Sequence, residues 1–185
     1  TGKISLSGVS ISAGNRPATE TMDVEVGTAL GAVTLTSEYI AQEHGDQGMF
    51  ATLCLGIINP ETGVLAYVNA GHLPLLIIGE SGVRAALNVT GPAVGMAPGL
   101  KFRSAVARIE PGEVLLGYTD GVTEALSPDE ALYTQQRFSA FLEKPFASAL
   151  ELIEGVKTDL FSHVKNAPQS DDITMIAVHR KQPAK

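Results

Sequence analysis

A single cysteine in 185 residues excludes a disulfide framework and a thiolate zinc site. Charge is scarce as well, with Asp, Glu, Lys and Arg making up 18% of the chain. The basic residues are scattered and the formal net charge is -7, so there is no Lys/Arg cluster of the kind that neutralises nucleic-acid phosphates. No uninterrupted run of about eighteen apolar residues occurs. Nor does the sequence start with a basic stretch leading into an apolar block. The expected location is therefore cytoplasmic, with no direct membrane contact.

What is present is apolar content, 44% of the residues, enough for a packed core without covalent staples. One domain over residues 1–185 is expected. Cys54 falls in the apolar run from Ala51 to Ile58, where it reads as a buried core thiol. Alternation and β-branched enrichment predict strands over Lys3 to Ser12, Phe50 to Asn59, Val64 to Ala70, Pro74 to Gly79, Lys101 to Arg108, Glu113 to Thr119 and Ile173 to His179. Pro60-Glu61-Thr62-Gly63 is a compact turn that makes its flanking strands an antiparallel hairpin.

Apolar spacing predicts one helix over Gly27 to Glu43, with Leu30, Val33, Leu35, Tyr39 and Ile40 as its inner side. A second runs over Phe146 to Val164, marked by Ala149, Leu150, Ile153, Val156, Leu160 and Phe161, with Ser148 as one candidate start. The stretches Ser12 to Asp23, Ser127 to Thr134 and Gly91 to Met96 read as loops, and Lys181 to Lys185 as a frayed end. Gly45 reads as the terminator of the first helix. The fold class this predicts is α+β: two antiparallel sheets packed face to face with α-helices outside.

Chemistry concentrates in two segments. Gly117-Tyr118-Thr119-Asp120-Gly121-Val122-Thr123-Glu124-Ala125 places a carboxylate directly after a strand, and Gln169-Ser170-Asp171-Asp172-Ile173-Thr174 places two directly before one. Hard divalent cations take oxygen ligands held in this way. An isolated Asp-Gly is ordinary turn chemistry, and the second acidic pair at another strand edge is what raises the metal reading above it. In Asn69-Ala70-Gly71-His72-Leu73-Pro74, His72 reads either as a ligand or proton donor, or as a side chain that ties down a turn.

In this order, Met49-Phe50-Ala51-Thr52, Tyr67-Val68-Asn69-Ala70-Gly71-His72-Leu73-Pro74, Gly91-Pro92-Ala93-Val94-Gly95, Pro111-Gly112-Glu113, the Asp120 segment and the Asp171 segment resemble the bacterial SpoIIE/RsbU-type branch of the metal-dependent protein phosphatase (PPM) family. The resemblance runs from about Arg16 to Val178. It implies an α-β-β-α sandwich and a phosphoserine/phosphothreonine protein phosphatase. It also implies two Mn²⁺ or Mg²⁺ ions held by aspartates and water, where two cations about 4 Å apart activate a water that attacks phosphorus. Asp120 and Asp171 match the metal aspartates and so carry the catalytic role through the metal-activated water. Asp172 matches a neighbour that orients ligands, while Gly121, Thr119, His72 and Asn69 shape the site, and Arg16 is placed to hold phosphate oxygens.

The partner implied is a phosphorylated anti-sigma-factor antagonist, with an attached sensor or regulatory domain. One departure stands beside the match. The Gly-Asp-x-x-Asp and Gly-Asp-Val-x-x-Lys-Gly-type segments of the family do not occur, and a block of some tens of residues is missing between about Thr21 and Val33. Asp23 is the nearest acidic substitute, with Glu25 behind it. A catalytically silent PPM-fold binding module is therefore the alternative reading. A hydrolase of small phosphorylated molecules is weaker, because Arg84, Arg103 and Arg108 are scattered and read as solvated residues on sheet faces.

Overall fold

The computed structural model describes residues 18–182, with side chains from Val26 onward. The expected strand at Lys3 to Ser12 and the candidate Arg16 lie outside the described residues. The described residues divide into two compact units, one built from Leu75–Ala86 and the described residues from Glu110 on, the other from residues 18–74 and Leu87–Ile109.

In the second of these units, helix α1 (Ala18–His44) accompanies a three-stranded antiparallel sheet ordered β1-β2-β5. Its strands are β1 (Leu53–Ile58), β2 (Val64–Ala70) and β5 (Ala105–Arg108). The β1–β2 hairpin forms as expected around Pro60 to Gly63, with Leu53 opposite Ala70 and Ile58 opposite Leu65. Asn59 builds the turn, its carboxamide oxygen accepting from the N–H groups of Glu61 and Thr62 at 3.0 Å each. The core of this unit is Ala29, Val33, Val68, Ala70, Val94 and Phe102.

Helix α1 corrects two expectations. It covers Ala18–His44, so residues 18–23 are helical and not a surface loop. Its buried stripe is Ala29, Val33, Ser37 and Ala41, while Leu35 and Tyr39 are 73% and 61% exposed. At about 100° per residue, a stripe at spacing four turns Leu35 and Tyr39 away from the sheet. The helix ends at His44, but a 3₁₀ turn (Gly45–Gln47) follows and Gly48, at φ 65°, is the left-handed terminator in place of Gly45. Cys54 is only partly buried, because β1 is half-buried along most of its length; burial still pushes its thiol up to about 11.

The other unit is a four-stranded antiparallel sheet ordered β4-β3-β6-β7. It comprises β3 (Leu75–Gly79), β4 (Gly82–Leu87, its last residue falling in the second unit), β6 (Val114–Tyr118) and β7 (Met175–His179), with helices α2 (Gln135–Phe141) and α3 (Ala149–Val164). Strand β4 and helix α2 are absent from the sequence-based expectation. Gly-Val-Arg-Ala-Ala-Leu carries a weak strand signal, and seven residues are too few for a helical period to stand out. Ser148 caps α3, accepting from Glu151 N–H at 3.0 Å, while the Glu151 carboxylate accepts from Ala147 N–H at 2.8 Å, close to a reciprocal capping box.

Helix α3 packs on β7. It buries Leu152, Ile153, Val156, Leu160 and Val164 and leaves Leu150 and Phe161 exposed, against expectation. Strand β6 leads its sheet into the core through Val114, Leu116 and Tyr118. Arg84 is exposed on strand β4, as the sequence suggested, but it is also paired. It makes a two-point ion pair with Glu113, which is 7% exposed. Burial alone raises the Glu113 pKa, but the Arg84 guanidinium and the Glu110 N–H bind its carboxylate and bring the net value below the ordinary 4.5.

Candidate metal and phosphate site

Antiparallel pairing decides where the two acidic segments meet. Tyr118, the last residue of β6, stands opposite Met175, the first of β7, so the segment that leaves β6 and the segment that enters β7 share one end of the sheet. Thr119 joins them. Its N–H donates to Thr174 O at 3.1 Å, its hydroxyl donates to Asp172 O at 2.9 Å, and that same hydroxyl accepts from Thr174 N–H at 3.0 Å.

Directly after this suture the chain makes a single 3₁₀ turn, Asp120–Val122. Asp120 opens it, with one carboxylate oxygen accepting from Gly121 N–H at 3.1 Å and its carbonyl accepting from Glu124 N–H at 2.8 Å. Gly121 lies against the partner segment so closely that a Cβ there would stand 2.5 Å from Asp172 O. Only glycine permits that approach. On the other side, Asp171 turns one carboxylate oxygen back onto Asp172 N–H at 2.7 Å, and the Gln169 amide donates to Asp171 O at 2.7 Å. The three carboxylates are exposed to solvent, so each is free to exchange water for a cation.

The donor chemistry fits a hard divalent cation: exposed carboxylate oxygens on segments tied to a rigid strand pair. The number of donors falls short of a two-metal shell. Among the described residues, no group of three or more His, Cys, Asp and Glu side chains converges on one point. Asp23 lies on α1, and its side chain is outside the described set.

Asn69 and His72 belong to the second unit and are bonded to each other. His72 N–H donates to the Asn69 carboxamide oxygen at 2.9 Å, and the His72 ring Nδ1 lies 3.0 Å from Leu73 O. Asn69 is fully buried. Its amide reaches Leu87 O at 3.1 Å, its N–H donates to the Thr90 hydroxyl at 2.9 Å, and its carbonyl accepts from Thr90 N–H at 2.8 Å. The motif Asn69 to Pro74 is thus a turn pinned by the Asn69 carboxamide, with the His72 ring against Leu73 O.

The family model described as Stage II sporulation protein E (SpoIIE) matches residues 6–181. The chain belongs to the SpoIIE family. Protein IcfG of Synechocystis sp. (strain ATCC 27184 / PCC 6803 / Kazusa) is 48% identical over 151 residues, 82% of this chain and 24% of IcfG. Phosphoserine phosphatase RsbP of Bacillus subtilis (strain 168) is 38% identical over 117 residues, 62% of this chain and 27% of RsbP. The chain spans about a quarter of the length of these two relatives. Among solved structures, the Mn-presoaked phosphatase domain of the cell fate determinant SpoIIE from Bacillus subtilis superposes with a TM-score of 0.63 at 14% identity, covering 97% of this chain and 79% of that one.

That likeness carries the fold: two antiparallel sheets with helices, the PPM phosphatase arrangement. The SpoIIE-family chain therefore has the fold of PPM phosphatase domains. No helix among the described residues is long and apolar enough to cross a membrane.

The sequence motifs pointed to Thr119, Asp120, Gly121, Asp171 and Asp172, and the strand pairing brings these together. A groove beside them was not legible. Gly121, Leu126, Phe161, Val164, Lys165 and Asp171 are among the residues that line a cavity of about 300 Å³. Its residues come from two stretches, 121–126 and 161–173, which join the two acidic motifs to the end of α3, and no sequence signal announces that the helix end lies beside them.

Proposed function

We propose that this SpoIIE-family domain hydrolyses phosphoserine or phosphothreonine on a regulatory protein partner of the anti-sigma-factor antagonist type, with Asp120 and Asp171 holding the cation on which hydrolysis depends. The observation that carries the reading is the Thr119 suture, which ties the segment bearing Asp120 to the segment bearing Asp171 and Asp172 through three hydrogen bonds of 2.9–3.1 Å. RsbP, a relative over most of the match, is named a phosphoserine phosphatase, and the SpoIIE structure with the same fold was soaked with Mn.

A bound Mn²⁺ or Mg²⁺ supplies Lewis acidity toward the phosphoryl oxygens and toward water. The chain's own part is positioning. Asp120 is anchored by its 3₁₀ turn and Asp171 by its bond to Asp172 N–H, so that neither carboxylate loses much freedom on ligation. Thr119 fixes the spacing of the two segments, and Gly121 keeps the surface between them free of side chain. Asp172 holds the suture through its carbonyl and leaves its carboxylate exposed to orient water or ligands. Arg16 is carried as the phosphate-binding group by the family motif alone.

Calorimetric titration with Mn²⁺, with release of phosphate from a phosphoserine protein or a chromogenic phosphate ester followed in the same samples, tests this. Metal-dependent turnover that is lost in Asp120→Ala and in Asp171→Ala is the expected result. Turnover that survives Asp120→Ala refutes the site assignment. Partner binding without turnover at any Mn²⁺ concentration identifies a silent binding module instead.

A further inference from the structure

The cavity beside the acidic segments has a composition that selects a ligand. Leu126, Phe161, Val164 and Ile173 give it apolar walls, Asp171 belongs both to it and to the candidate metal site, and Lys165 is the one cation among its lining residues. At about 300 Å³ it stands at the lower end of small-ligand pockets, roughly 300–1,000 Å³. One lysine without an arginine clamp does not suit a nucleotide.

Lys165 is also held in an unusual way. It follows α3 at φ 49° and ψ -112°, with its N–H donating to Phe161 O at 2.9 Å and the Ala167 N–H closing the turn onto Val164 O at 2.9 Å. Glycine adopts that backbone without strain, and lysine does not. Its ammonium has no carboxylate partner among the described residues, and the side chain is exposed at the groove. Phe161, the large aromatic that α3 leaves 42% exposed, lies in the same groove and needs an apolar contact to cover it.

We propose that this groove receives the peptide segment flanking the phosphorylated residue of the protein substrate, taking one apolar side chain against Leu126, Phe161, Val164 and Ile173 and an acidic side chain at Lys165. The inference rests on the phosphatase reading of Asp120 and Asp171, since the continuity of the groove with Asp171 is what places the phosphorylated residue next to it. Apolar anchoring gives affinity, and the single cation gives discrimination between flanking charges.

The test is fluorescence-anisotropy binding of labelled phosphoserine peptides that carry leucine and either aspartate or lysine within a few residues of the phosphoserine. The unsubstituted chain binds the aspartate-flanked peptide about tenfold more tightly than the lysine-flanked one, about one charge-assisted contact. Lys165→Glu reverses that order. Lys165→Gly, which relieves the backbone, melts at or above the temperature of the unsubstituted chain and shows no flank preference. Phe161→Ser weakens both peptides together. An unchanged preference in Lys165→Glu, or no preference in the unsubstituted chain, overturns the proposal. Hydrolysis of a chromogenic phosphate ester in the same samples reports on the phosphatase reading separately: hydrolysis without flank preference sinks the groove alone, and flank preference without hydrolysis sinks the reaction and keeps the groove.

Discussion

Replacing Gly121 by alanine concentrates the structural case for the site in one methyl group. The added Cβ stands 2.5 Å from Asp172 O and 2.9 Å from Asp172 C, both backbone atoms that no rotamer change can move. Ordinary contact requires the Asp171–Asp172 segment to retreat by several tenths of an ångström or more, an overpacking cost of about 1–3 kcal/mol. The retreat also stretches the Thr119 hydroxyl bond to Asp172 O, now 2.9 Å, worth about 1 kcal/mol net. A total of about 2–4 kcal/mol is expected in urea denaturation. Because the carboxylates ride on the displaced segments, Mn²⁺ affinity measured by calorimetry falls at least tenfold, and turnover falls by about a hundredfold for a misplacement near 1 Å. Gly31→Ala is the control: its Cβ meets nothing within 4 Å inside α1, and it should stabilise by about 0.5–1 kcal/mol. A Gly121→Ala protein within 0.5 kcal/mol of the unsubstituted chain, with Mn²⁺ binding intact, refutes the reasoning.

Two further outcomes follow from buried polar groups. Asn69→Leu strands the Leu87 carbonyl and the His72 N–H that the carboxamide satisfies at 3.1 Å and 2.9 Å, and should cost about 2–5 kcal/mol in chemical denaturation; a loss below 1 kcal/mol would mean that water replaces the amide. Glu113 binds its proton more weakly in the folded chain than its ordinary 4.5, so its stabilising contribution is complete above that value and is lost as pH falls through the lower folded value. Stability measured by urea between pH 6 and pH 3 should therefore fall less steeply in Glu113→Gln paired with Arg84→Met than in the unsubstituted chain, and parallel curves would remove the pair from the acid response.

Strand signals at Val64 to Ala70, Glu113 to Thr119 and Ile173 to His179 were legible, to within two residues at each end, because β-branched and alternating residues have the period of a pleated strand. Ser148 was one of the candidate starts of α3 for a local reason too, since its hydroxyl accepts from an N–H only three residues away; the sequence left Lys144 to Phe146 open as well. Strand β4 was missed because two alanines and an arginine become a strand only beside β3. Leu35, Tyr39, Leu150 and Phe161 were placed inside because their spacing fits a helix; which stripe is buried depends on the sheet it meets.

The sequence by itself determined that two acidic motifs flank two strands, that the motifs in their order resemble a metal-dependent phosphatase family, and that Asp120 and Asp171 are the residues to test. The aspartates and their strands are local facts, readable within a few residues, while the family resemblance comes from the order of six motifs along the chain. Tertiary structure decided that the motifs, fifty residues apart, share one end of one sheet, because antiparallel pairing of β6 with β7 sets Tyr118 opposite Met175. It also decided that Thr119 sutures them, that Gly121 has no room for a methyl group, that Arg84 neutralises Glu113, and that a groove with one lysine opens beside Asp171. These are distances between residues remote in the chain, and only the pairing of strands and the packing of α3 set them.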